Sequence, residues 1–195
     1  MRRTLTTLTA AVLLGLTASA ASALTPTETV KARVDEVLES LSRVAPTSVE
    51  ASDRRRAEIR RVADALFDFT EMARLALGRH WTDRTPAERE EFVRLFTDLI
   101  AQSYVGKIDR YAGEAVAYTG ERVEGDMASV RSQVVTAKGS EIPLEYRLHR
   151  VNDSWTAYDV LIENVSLVCT YRSQFDRIIR TESFGNLLRR LREKA

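Results

Sequence analysis

One cysteine, Cys169, and two histidines, His80 and His149, are all that the 195 residues offer of those types. An intramolecular disulfide is therefore impossible, and in an oxidising compartment a lone thiol is expected to be buried and inert. The two histidines fall on different elements with no partner at metal-ligand spacing, so no metal site is expected. There is also no Gly-rich phosphate loop, no G-x-S-x-G elbow and no H-E-x-x-H helix. Neither a catalytic residue nor a cofactor is expected from these absences.

Long apolar runs are missing too, except near the start. Met1-Arg2-Arg3 leads into an uncharged stretch with Ala10-Ala11-Val12-Leu13-Leu14-Gly15-Leu16 and ends in Ala18-Ser19-Ala20-Ala21-Ser22-Ala23. A basic start, a short apolar centre and small residues at alternate positions form the pattern of a secretory signal peptide, with cleavage expected after Ala23 or Ala20. Leu24 follows Ala23, so there is no cysteine for lipoprotein attachment. Residues 24–195 are then expected to form one soluble, exported domain, as a monomer. Without Arg2 and Arg3 it carries 27 basic and 28 acidic residues, a net charge of about −1 that makes nucleic acid an unexpected partner.

Apolar spacing then gives the elements. Val30, Val34, Val37, Leu38 and Leu41 recur at helical intervals from Glu28 to Leu41, with Pro46 as the stop. A second helix is expected from Glu50 to Phe67, with Ile59, Val62, Ala63 and Leu66 on one face and Arg54, Arg55, Arg56, Arg60 and Arg61 on the other. Phe69 to Leu77 reads as a short helix closed by Gly78. Thr85-Pro86-Ala87-Glu88 supplies a cap, a first-turn proline and a capping-box glutamate, so a long helix should run from Pro86 past Tyr104 towards Tyr111.

After Gly113 the texture changes to Val/Thr/Tyr-rich segments at 114–124, 127–137, 141–151 and 154–163, separated by Gly125-Asp126, Lys138-Gly139 and Asn152-Asp153. Helical spacing returns from Val165 to Ile179, and Leu187, Leu188 and Leu191 mark a last short helix. Helices, then strands, then helices predict an α+β fold: a curved antiparallel sheet of four strands, or five, with helices packed on one face.

Three polar features stand out against this pattern. His149, between Leu148 and Arg150, reads as a surface or half-buried strand imidazole. Asp159 lies inside Trp155-Thr156-Ala157-Tyr158-Asp159-Val160, where a carboxylate must be paired or face water or a cavity mouth, and a structural hydrogen-bond role is favoured. The arginines of the second helix read first as a solvated face and secondly as a dock for anionic headgroups or an acidic partner.

Larger segments carry a resemblance. Ile142-Pro143-Leu144-Glu145-Tyr146-Arg147-Leu148, the run from Trp155 to Leu167, and Tyr171-Arg172-Ser173-Gln174-Phe175 resemble the MlaC family of periplasmic phospholipid-binding, toluene-tolerance proteins. Gly78-Arg79-His80-Trp81, the Thr-Pro-x-Glu-x-x-x-Phe run from Thr85 to Phe92, and Phe96 through Tyr104 fit the same pattern. Asn164 departs from it, standing where family members commonly have Gly; Asn is the next-best residue for a left-handed backbone.

The resemblance implies a carrier, not an enzyme, with phospholipid as cargo instead of a cofactor. Its implied partners are an outer-membrane lipoprotein–porin complex and an inner-membrane ABC transporter with a lipid-binding ring protein, and its implied role is the upkeep of outer-membrane lipid asymmetry. The expected cavity wall comprises Phe69, Met72, Leu75, Phe92, Phe96, Leu99, Ile100, Val134, Leu144, Tyr146, Leu148, Tyr158, Val160, Ile162, Leu167, Val168 and Tyr171. A volume near the top of the usual range of roughly 300–1,000 Å³ is expected. Three rivals stand beside this reading: a hopanoid-associated carrier of the same family, an enzyme using Asp159, Tyr146 or His149 on an apolar substrate, and an adaptor that carries nothing.

Overall fold

The computed structural model describes residues 24–42, 48–108, 114–136 and 139–194. The leader expected at 1–23, the stop at Pro46, the extension to Tyr111, Gly113 and Lys138 lie outside them. In chain order the elements are α1 (Pro26–Ser42), α2 (Val49–Leu66), α3 (Phe69–Leu77), a 3-10 turn (Gly78–Trp81), α4 (Pro86–Ile108), β1 (Ala115–Glu124), β2 (Met127–Val135), β3 (Glu141–Val151), β4 (Ser154–Ile162), β5 (Val165–Ser166), α5 (Leu167–Thr181) and α6 (Phe184–Arg192).

Local chemistry sets these boundaries. Helix α4 begins at a reciprocal capping box: the Thr85 N–H donates to Glu88 Oε2 at 2.8 Å and the Glu88 N–H to Thr85 Oγ1 at 3.3 Å. The side chains of Ser48, Asp68, Ser166 and Ser183 accept from the first turns of α2, α3, α5 and α6. Gly78 ends α3 at φ +56°, a backbone that L side chains rarely adopt.

The strands form one open antiparallel meander in the order β1-β2-β3-β4-β5. Bulges between Tyr118 and Gly120 and between Arg147 and Leu148 bend it. Asn152 and Asp153 both take positive φ in the β3–β4 turn, and so do Glu163 and Asn164 in the turn to the fifth strand. The Asn164 backbone, at φ +65°, is thus left-handed as its residue type allows.

Two apolar cores result among the described residues. The helical core joins α3, α4, α5 and α6 through Met72, Leu77, Phe92, Leu95, Phe96, Phe175, Leu187 and their neighbours. The sheet core holds Val30 and Leu66 against Ala128, Val130, Leu148, Trp155 and Ala157. The junction of α2 and α3 ties them: Phe67 bridges to Ala157 in parallel fashion, and the Asp68 N–H donates to the Ala157 carbonyl at 2.9 Å.

Asp159 is 3% exposed and has the structural role its position favoured. It accepts from Ser166 Oγ at 2.6 Å and from the Val168 N–H at 3.1 Å, so a β4 carboxylate fixes the start of α5. Asp159→Ala leaves the buried Val168 amide and the half-buried Ser166 hydroxyl without this acceptor and is expected to cost about 2–4 kcal/mol in urea denaturation. A loss below about 1 kcal/mol would show that α5 holds its place without it.

Cys169 corrects an expectation: it is exposed. Helix α5 buries Leu167, Val168 and Phe175, and Cys169 falls on its outward side, a position that the count of cysteines could not reveal.

Candidate functional site

A cavity of about 550 Å³ lies between the inner face of the sheet and the helices. One wall comes from α1, through Val34, Val37, Leu38 and Leu41, and from α2, through Ile59, Val62, Ala63 and Leu66. The facing wall is the sheet: Val116, Val134, Ile142, Leu144, Tyr146, Val160 and Ile162. Phe67, Phe69, Met72, Ile100, Ala101, Tyr104 and Leu167 close the side towards the helical core. The volume falls in the middle of the usual range rather than near its top.

Register explains the placement. Leu144 pairs with Ile162 and Tyr146 with Val160, so period-two alternation presents all four to one face. The lining strand residues gather at the end of the sheet where β1 and β3 begin and β2 and β4 finish. Towards the opposite end lie the sheet-core residues Ala128, Val130, Leu148, Trp155 and Ala157. Helix α1 runs from that sheet core, at Val30, to the cavity-lining end of the sheet, at Leu41.

Polar lining is sparse: Arg33, Arg60, Glu114 and Thr136, with the phenols of Tyr104 and Tyr146. Arg33 Nη1 lies 2.5 Å from Glu36 Oε1. Arg60 bridges helices, 3.2 Å from Asp64 on its own helix and 3.3 Å from Asp98 on α4. Both arginine side chains are about one-third exposed, so the aliphatic stems border the cavity while the charged ends reach water.

Burial pushes the Tyr146 phenol up to about 12 and also raises Tyr104. Tyr146 is therefore a neutral hydroxyl at ordinary pH. Because its folded value exceeds the ordinary one near 10, its contribution to stability is complete below about pH 10 and is lost as pH rises towards 12. Absorbance titration should find this phenol un-ionised at pH 11 in the folded protein, and Tyr146→Phe should remove its share of the alkaline destabilisation.

Nine of the seventeen residues expected on the wall line this cavity: Phe69, Met72, Ile100, Val134, Leu144, Tyr146, Val160, Ile162 and Leu167. The other eight lie elsewhere. Phe92, Phe96, Leu99 and Val168 are buried in the helical core, where Leu75 and Tyr171 pack against them. Leu148 sits in the sheet core, and Tyr158 meets the His149 ring at 5.4 Å. Sequence reasoning missed the wall formed by α1 and α2. Its signal was present as two apolar helical faces, but periodicity names a buried face without naming what it covers.

The acid–base constellation is not assembled. Tyr146 and Val160 face the cavity, so their strand neighbours Arg147 and Asp159 point to the other side. His149 is also out of phase with Tyr146, with Nε2 3.2 Å from Asp68 Oδ2 in an orientation that makes no hydrogen bond. Among the described residues no cluster of three metal-binding side chains occurs, and no described helix is long and apolar enough to cross a membrane.

Known proteins resemble this chain in sequence and fold. The chain is 27% identical, with a TM-score of 0.73 over 85% of its length and 94% of the other, to the phospholipid-binding protein from Ralstonia solanacearum, solved in complex with a phospholipid. It is 23% identical over 124 residues to the intermembrane phospholipid transport system binding protein MlaC of Haemophilus influenzae. That match spans 61% of this chain and 58% of the relative's length. The family model described as MlaC protein matches residues 31–193. This chain, with its apolar cavity between an antiparallel meander and the helices packed on it, belongs to the MlaC family.

Proposed function

We propose that the protein is a periplasmic phospholipid carrier. It takes acyl chains into the cavity and shuttles the lipid between an outer-membrane lipoprotein–porin complex and the ring protein of an inner-membrane ABC transporter, maintaining outer-membrane lipid asymmetry. The observation that carries this reading is the apolar cavity of about 550 Å³, in a chain whose fold matches a protein solved with phospholipid. Burying a methylene is worth ~0.8 kcal/mol, so an acyl chain crossing an aqueous space is strongly favoured to travel inside such a wall.

The nine expected residues that line the cavity, together with the α1 and α2 faces, are the proposed acyl contacts. The glycerophosphate end stays near water, beside Arg33, Arg60, Glu114 and Thr136. No cofactor takes part and the protein works as a monomer.

The test is native purification of residues 24–195 from a Gram-negative host, gel filtration, denaturing extraction and lipid mass spectrometry. About one phospholipid per chain is the expected result. A polycyclic lipid in its place would move the assignment to the hopanoid-associated carrier. A lipid-free protein that also fails to take phospholipid from vesicles would overturn carriage.

A further inference from the structure

Charge is unevenly distributed along this chain. Residues 167–194 hold six arginines and one lysine against Asp176, Glu182 and Glu193, whereas the whole chain from Leu24 is close to neutral. Helix α5 exposes Arg172, Arg177 and Arg180 to solvent, and Arg79 joins them from the 3-10 turn.

Asp176 is the one carboxylate on α5. Arg79 Nη2 lies 2.7 Å from its Oδ1, His80 Nε2 lies 2.9 Å from the same oxygen, and Arg180 Nη1 lies 3.8 Å from Oδ2. One negative charge is thus shared among three groups, and positive charge is left over. Arg79 and Arg180 are still 67% and 68% exposed. Arg172 is fixed differently: its Nε donates to the Leu75 carbonyl at 2.8 Å, and its Cδ lies 3.5 Å from where a Cβ on Gly78 would stand. The cations at both ends of the face are therefore held before any partner arrives.

We propose that Arg79, Arg172, Arg177 and Arg180 form a docking face for an acidic protein surface. Arginine forks match carboxylates in a planar, two-point geometry. A bilayer fits less well, because interfacial binding also needs apolar side chains that enter the lipid. The exposed large apolar residues among those described are Leu24, Val49, Val123, Met127, Val151 and Val165, and none is on α5 or the turn. None of the four arginines lines the cavity, so this face is separate from the cavity wall.

The choice of probe rests on the carrier reading: the purified lipid-binding ring protein of the transporter from the same organism. The variant is Arg79→Glu/Arg177→Glu/Arg180→Glu, with Arg177→Glu alone as the second variant should the triple one fail to fold. Binding is measured by titration calorimetry at several salt concentrations, and bound phospholipid is counted on the same samples. The expected result is salt-sensitive binding by the wild type, about tenfold or more weaker in the triple variant, with lipid content unchanged. Equal affinity of variant and wild type, or no binding by the wild type, overturns the proposal. So does capture of wild type but not variant by phosphatidylglycerol vesicles, which assigns the face to a bilayer, or self-association lost in the variant, which assigns it to a second copy. Absence of lipid from the wild type would instead overturn carriage and leave the docking result readable.

Discussion

Val160→Asp is expected to yield a protein from which bound phospholipid is lost by at least about tenfold, because a carboxylate in an apolar wall carries a desolvation cost of several kcal/mol. Val160 is 9% exposed, pairs with Tyr146 across the sheet and faces the cavity. A charge there must stay hydrated or take up a proton, and either response puts a polar group where acyl methylenes would lie. Val160→Leu keeps the wall apolar and should retain lipid. The readout is lipid per folded chain, with melting temperature followed separately so that instability is not mistaken for lost binding. Stoichiometric lipid in a folded Val160→Asp protein would remove this residue from the binding surface.

Phe96→Ala should do the opposite, damaging the fold and sparing the wall. Phe96 is fully buried; its ring centroid lies 5.9 Å from Phe92, 5.3 Å from Tyr171 and 5.7 Å from Phe175. Removing the ring leaves a void at the meeting point of α4 and α5, with an expected loss of about 3–5 kcal/mol in urea denaturation. Because Phe96 does not line the cavity, lipid per folded chain should be unchanged. Unchanged stability with lost lipid would return Phe96 to the wall where the sequence had placed it.

These two residues mark how far the sequence could be read. Strands and helices were legible because local chemistry writes them directly: Gly78 closes α3, Thr85 and Glu88 cap α4, and Asn152-Asp153 makes a turn. The short fifth strand was legible only as an option, since its two residues depend on left-handed Glu163 as well as Asn164. The wall was half legible. Phe92 and Phe96 lie on one helical stripe with Leu99 and Ile100, yet only Ile100 reaches the cavity. A stripe wider than one neighbour is divided between two neighbours by tertiary packing, which spacing does not encode. Cys169 failed for a related reason: burial follows from helix phase at α5, not from residue type.

The apolar cavity between the sheet and the helices has a mechanical consequence. A folded chain that encloses apolar volume becomes smaller in solution when it unfolds, so hydrostatic pressure should favour the unfolded form. The empty protein is then expected to be more compressible and to unfold at lower pressure than one whose cavity holds a lipid. Occupancy would be recorded in the partial molar volume, and a pressure-jump trace would distinguish full from empty chains without any label on the cargo.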